Sequence, residues 1–364
     1  MSHTFSPKQR GYLKGLSLLF FLYLFIFSLQ LMGDALKMFG SGFAEALIAT
    51  TSSPVAGLFI GILATSFVQS SSSTTAIVVG LVGGGVLNVS NAIPIIMGAN
   101  IGTSVTNTLA SMTQIKRSAE FQRSFAAAIV HDYFNMLSVA VLFPLQYFTN
   151  YLGIAADYLG HKFQHVGGLK FFSPVNALTR PVAALFKNIL GDLPWLLLVI
   201  SVFLLLFSLT RMVKTLKSLV VYKAEGWFDR YLFKNPVRAF FVGFLLTSMV
   251  QSSSITTALA VPMAGAGLLT LAQVFPYTLG ANLGTTFTAI LAALVTGNLF
   301  AVVVAFSHLL FNISGMLVWW PLMRVPIGLA KGFAKFSTRH KLFPLFYIII
   351  VFFLIPIILI YLFK

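Results

Sequence analysis

Cysteine is absent from the 364 residues, and only eight of them are acidic. Without a thiol there is no disulfide, no thiolate-bound metal and no cysteine nucleophile. No carboxylate pair, metal-ligand cluster or nucleophile–base set falls in the apolar part of the chain, so an enzyme is the function class these absences disfavour most. Charge of either sign is scarce: 9% of residues are charged and 58% apolar, where an ordinary soluble domain is about a quarter charged. A soluble globular fold is thereby excluded, and a bilayer is the expected solvent.

Apolar stretches of spanning length, roughly 20 residues, lie at Leu16 to Met32, Ala126 to Tyr147, Pro194 to Leu209, Leu299 to Leu322 and Phe346 to Leu362. The first has too long an apolar run for a secretory signal and is kept as a helix. The net charge of +16 could suggest nucleic acid, but the basic residues do not gather with exposed aromatics in one domain. They sort by loop instead. With a cytoplasmic N-terminus, 18 of the 24 lie inside: Lys8, Arg10 and Lys14, then Lys116, Arg117 and Arg123, seven from Arg211 to Arg238, and five from Arg324 to Lys341. The positive-inside rule accounts for that distribution, and the basic loops also suit anionic lipid.

The chain is written twice. Thr65 to Ala76 (TSFVQSSSSTTA) returns as Thr247 to Ala258 (TSMVQSSSITTA), an offset of 182 residues. The same offset, without a gap, carries Pro94 to Pro276 and Gly98-Ala99-Asn100-Ile101-Gly102-Thr103 to Gly280-Ala281-Asn282-Leu283-Gly284-Thr285. With small length changes, His131, Phe134 and Asn135 match His308, Phe311 and Asn312. Looking for such repeats first decides the fold. Three crossings between equivalent points invert the second copy, and the basic Lys116 to Arg123 loop has an uncharged counterpart, Thr296-Gly297-Asn298.

The expected architecture is therefore all-α and membrane-integral, with two inverted repeats at 16–149 and 193–323. Each has a re-entrant hairpin, 54–88 and 236–269, whose halves are too short to span, tipped by the Gln-Ser-Ser-Ser stretch. Each also has a broken helix, 91–112 and 271–296, which the paired glycines would allow to unwind. A cytoplasmic tail (1–15), an extracytoplasmic connecting loop (150–192), a basic cytoplasmic loop (324–343) and a final transmembrane helix (344–364) complete the chain. Gly83 and Gly85, matched by Gly265 and Gly267, read as close-packing positions. Irregular backbone at membrane depth needs protein or a water-filled cavity around it, and inverted repeats bring such elements to a midplane binding site.

Serines and threonines in membrane helices commonly serve only close packing, yet here eleven hydroxyl residues fall in two matched clusters, each with a Gln. Hydroxyls and the free amides at helix N-termini suit an oxyanion, while amide carbonyls and threonine oxygens suit a hard monovalent cation. No Lys or Arg occurs from Val55 to Ile115 or from Ala239 to Leu322. A buried anion there has no permanent positive partner, so bound cations would have to neutralise it. Asp132, an acid well inside a spanning helix, is a candidate cation or charge-movement site; His131 and His308 read as structural.

The two Gln-Ser-Ser-Ser stretches, Ile93 to Asn107 (IPIIMGANIGTSVTN), Phe121-Gln122-Arg123 and Val130 to Asn135 (VHDYFN) closely resemble the type II sodium-dependent phosphate cotransporters, from about Leu29 to Phe352. That resemblance implies sodium-driven secondary active uptake of inorganic phosphate by alternating access, with no other cofactor. It assigns phosphate to Ser70, Ser71, Ser72, Ser252, Ser253 and Ser254. Sodium and the surrounding cavity fall to Gln69, Gln251, Thr74, Thr256, Asn100, Asn282, Thr103, Thr285 and Asp132. Family members with an acid at the place of Asp132 are electrogenic, which is the type expected here. The cysteines and glycosylation sites of animal members are missing, so a bacterial inner membrane is the expected home. Another oxyanion such as sulfate or a carboxylate, or an anion channel, stays open as an alternative.

Overall fold

The computed structural model describes residues 7–39, 51, 53–112, 114–165, 173–190, 193–224 and 235–363, and these are helical nearly throughout. The first repeat comprises α1 (Pro7–Met38), α2 (Pro54–Val68), α3 (Ser71–Gly83), α4 (Val89–Gly102), α5 (Val105–Met112) and α6 (Ser118–Thr149). Two helices follow, α7 (Tyr151–His165) and α8 (Ser173–Leu190). The second repeat is α9 (Pro194–Ala224), α10 (Pro236–Val250), α11 (Ser253–Gly265), α12 (Leu271–Thr296) and α13 (Leu299–Trp319). The chain ends with α14 (Arg324–Arg339), α15 (Phe343–Ile349), a π-helical turn (Ile350–Leu354) and α16 (Ile355–Phe363). Among the described residues six helical segments are long and apolar enough to cross a membrane: Tyr12–Leu36, Ser118–Thr149, Pro194–Met212, Leu271–Thr296, Leu299–Trp319 and Phe343–Phe363.

The repeats match down to their helix caps. Ser53 accepts from Ala56 N ahead of Pro54, and Asn235 accepts from Val237 N ahead of Pro236. Asn88 caps α4 through Asn91 N at 2.8 Å; at the equivalent start of α12, Gln273 Oε1 accepts from both the amide and the hydroxyl of Thr270. Each cap satisfies amides that a helix start leaves unpaired. At 15 and 13 residues, α2 and α3 reach only ~22 and ~20 Å, short of the ~30 Å hydrocarbon core; α10 and α11 have the same lengths.

The segment 1–15 is helical from Pro7 on, and its first six residues lie outside the described ones. Three expectations are corrected. The connecting loop 150–192 carries α7, packed on α13, and α8, packed on α1. The basic loop 324–343 is mostly α14, an amphipathic helix that buries Ile327, Ala330 and Ala334 against α6. The broken helix 271–296 is one unbroken helix, and in the first repeat the chain stays helical through Gly98 and Gly102 and breaks only at Thr103–Ser104.

The glycines explain the last difference, because they serve close approach rather than unwinding. A Cβ on Gly98 would run into the Leu58 carbonyl oxygen, and one on Gly61 into that of Ile95; Gly280 faces Phe240 and Gly243 faces Tyr277 in the same way. The α2–α4 and α10–α12 pairs therefore touch backbone to backbone, as small residues permit in lipid, where packing and not water exclusion holds helices together. Gly83 and Gly265 are likewise tight, against Thr296 and Gln114, whereas Gly85 and Gly267 have φ of 78° and 81° and turn the chain after α3 and α11.

Candidate functional site

Both Gln-Ser-Ser-Ser stretches form the same joint. Gln69 closes α2 in the left-handed conformation (φ 57°, ψ 27°), and Gln251 closes α10 at φ 58°, ψ 26°. An L-residue pays roughly 1–2 kcal/mol for this region, and each Gln is held there by its side chain. Gln251 Nε2 donates to Ser248 O at 2.7 Å and its Oε1 accepts from Thr288 Oγ1 at 2.6 Å. Gln69 repeats the pattern, donating to Ser66 O and accepting from Thr106 Oγ1 at 2.8 Å. The offset of 182 also pairs Thr106 with Thr288, so the sequence held a signal for these two residues that the motif reading passed over.

After each Gln the next serine turns extended and caps the following helix. Ser70 accepts from Ser73 N at 3.2 Å and Ser252 from Ile255 N at 3.4 Å. Ser70 also accepts from Ser73 Oγ at 2.9 Å, a bond that Ile255 cannot make in the second copy. Ser70 and Ser252 thus shape the joint. Ser71, Ser72, Ser253 and Ser254 occupy the first turns of α3 and α11 and are buried, where the amides of a helix start face outward unpaired and the helix dipole is positive. Thr74 and Thr256 bond back to the carbonyls of Ser70 and Ser252, and Thr103 and Thr285 to those of Ala99 and Ala281.

The second tip meets the break in the first repeat: Ser254 Oγ lies 3.5 Å from Thr103 O, and Asn107 Nδ2 donates to Thr257 Oγ1 at 2.7 Å. No hydrogen bond joins the two tips directly among the described residues. The break also touches the predicted acid, since Ser104 neighbours Asp132. Asp132 is fully buried, accepts from Tyr347 Oη at 3.2 Å through Oδ2, and leaves Oδ1 without a partner. Tyr347, on α15, was invisible to motif reading because the final helix has no counterpart in the repeats. Tyr347→Phe is expected to destabilise the protein by about 1.5–3 kcal/mol, the worth of one hydrogen bond to a charged group, read as a lower melting temperature.

Behind the tips the repeats exchange bonds reciprocally. His131 Nε2 is 2.6 Å from Asn282 Oδ1, and its counterpart His308 Nε2 is 3.4 Å from Asn100 Oδ1. Asn282 Nδ2 donates to Asn135 Oδ1 at 2.7 Å, and Asn135 Nδ2 to the Asn100 carbonyl at 2.9 Å. Buried polar atoms without partners include Thr65, Thr75, Ser104 and Asn107 Oδ1 in the first repeat and Thr247 and Ser248 in the second. Buried oxygens are normally paired. Two copies also differ in access, for Gln69 is exposed and Gln251 is buried.

The family described as Na+/Pi-cotransporter matches residues 24–164 and 204–334, two stretches that together hold both joints, both His–Asn pairs and Asp132. This chain belongs to the Na+/Pi-cotransporter family. Similar proteins include the sodium-dependent phosphate transport protein 2B of Homo sapiens, 33% identical over 93% of this chain and 64% of its own length. The 2B protein of Pongo abelii is 34% identical over 93% and 64%, and the 2A protein of Rattus norvegicus 35% identical over 92% and 65%. The chain thus spans 64 to 65% of the length of these relatives. No solved structure matches it.

Proposed function

We propose that the protein takes up inorganic phosphate together with sodium, electrogenically, by alternating access around a midplane site between two inverted repeats. The observation that carries this reading is the pair of hydroxyl-rich helix starts, at Ser71–Ser72 and Ser253–Ser254, set in segments that contain no Lys or Arg. Donors for an oxyanion are present in both copies, and the charge that would balance it is not. Unpaired oxygens at Thr65, Ser104, Asn107, Thr247 and Asp132 are ligands of the kind a sodium ion takes. Family membership and the names of the relatives support phosphate and sodium as the pair.

The reciprocal His131–Asn282 and His308–Asn100 contacts support a two-fold relation between the repeats. Their inequality supports alternation: one copy is broken at Thr103–Ser104 with an exposed Gln69, while the other is continuous with a buried Gln251. Exchange of these two conformations would open the site to the opposite side. The membrane is that of a bacterial cell, with the N-terminus and the basic α14 on the cytoplasmic side, as the lysines and arginines direct.

Purified protein in proteoliposomes is expected to accumulate phosphate when a sodium gradient is imposed, with sulfate, arsenate and succinate as competitors to define the anion. An inside-negative voltage should speed uptake by the native protein and lose most of that effect in Asp132→Gly, because the carboxylate would no longer move or hold charge in the field. Equal voltage dependence in both would remove the assignment to Asp132.

A further inference from the structure

A second basic feature stands apart from the tips. A cavity of about 600 Å³ opens between the start of α6, the turn joining α11 to α12, and α14. Arg123 lines it from α6, and Lys331 and Lys335, one turn apart, line it from α14, with Gln122 and Thr270 beside them. The Arg123 Nε donates to Gly265 O at 2.9 Å, which fixes the guanidinium at the wall and leaves its terminal nitrogens free for a fork-like contact. Thr270 and Leu271 bring in the start of the 26-residue α12, whose dipole adds positive potential.

Among the described residues no carboxylate lines the cavity and neither lysine forms an ion pair; Glu120, one turn from Arg123, is bound to Arg117 at 3.1 Å. Three cations around one space, with no carboxylate among the described lining residues, favour an anion that joins them. The remaining walls are small or apolar, and α14 exposes Val325, Leu329 and Phe336, the composition of a helix lying in the membrane interface. Basic pockets between helices on the cytoplasmic side suit phosphate-bearing headgroups.

We infer that Arg123, Lys331 and Lys335 form a binding site for a phosphoryl oxyanion, separate from the transport site, supplied by an anionic lipid headgroup or by free phosphate. Gly332 on the cavity wall provides an independent handle, since a Cβ there meets no atom within 4 Å; Gly332→Leu fills the space and keeps every charge.

Binding is read by titrating purified full-length protein in neutral detergent, in sodium-free buffer of constant ionic strength, with dioctanoyl phosphatidylglycerol, dioctanoyl phosphatidylcholine or inorganic phosphate. Saturable binding of phosphatidylglycerol or of phosphate is expected, with little binding of the zwitterionic lipid. The double variant Lys331→Gln/Lys335→Gln should weaken it about 30-fold, the worth of two headgroup charges, and Gly332→Leu should weaken it comparably. Which arm saturates identifies the source. Absence of saturation in both arms, equal binding of phosphatidylcholine, or binding undiminished in both variants would overturn the site.

Discussion

Gly98→Ala and Gly280→Ala are each expected to cost about 3 kcal/mol of stability, the upper end of ordinary overpacking, and to leave little folded protein in the membrane. At both positions the added Cβ would sit on a backbone carbonyl oxygen, Leu58 O or Phe240 O. A side chain can rotate away from such a contact, but a helix backbone can yield only by moving whole. The α2–α4 and α10–α12 pairs carry the tips, so separation would also displace Gln69 or Gln251. Gly328→Ala, at a site where a Cβ meets nothing within 4 Å, is the control and should be neutral or slightly stabilising. Melting temperatures of the three purified variants check this. An unchanged value for Gly98→Ala would show that the helices do not touch there.

Ser71→Ala combined with Ser253→Ala is expected to lower phosphate uptake at least about 100-fold, since each hydrogen bond to a charged group is worth about 1.5–3 kcal/mol. Thr74→Val should matter less for the anion, because its hydroxyl is spent on Ser70 O within its own helix. Initial rates of sodium-driven uptake, normalised to folded protein, separate the two. If the serine double variant transports at the native rate, the anion is held elsewhere.

Much of this was legible in the residues, for reasons that differ from place to place. The joints were readable because duplication preserved polar residues in apolar surroundings, where chance does not place a Gln and three serines twice. The glycines at 98, 102, 280 and 284 were visible but ambiguous: unwinding and close packing both favour glycine, and only the neighbouring carbonyl decides between them. One sequence pattern gave a break at Thr103–Ser104 in one copy and a continuous α12 in the other. The helices α7, α8 and α14 were hidden because they lack the long apolar run that marks a span. Tyr347 was hidden because its contact with Asp132 joins elements more than 200 positions apart.

In the proposed function, a hydroxyl site without lysine or arginine needs sodium to hold phosphate. Equilibrium binding of labelled phosphate to the purified protein, with sodium replaced by choline at constant ionic strength, tests that most directly. The affinity should fall at least about 100-fold without sodium, since an uncompensated buried charge costs several kcal/mol. Phosphate binding of undiminished affinity in choline would contradict it.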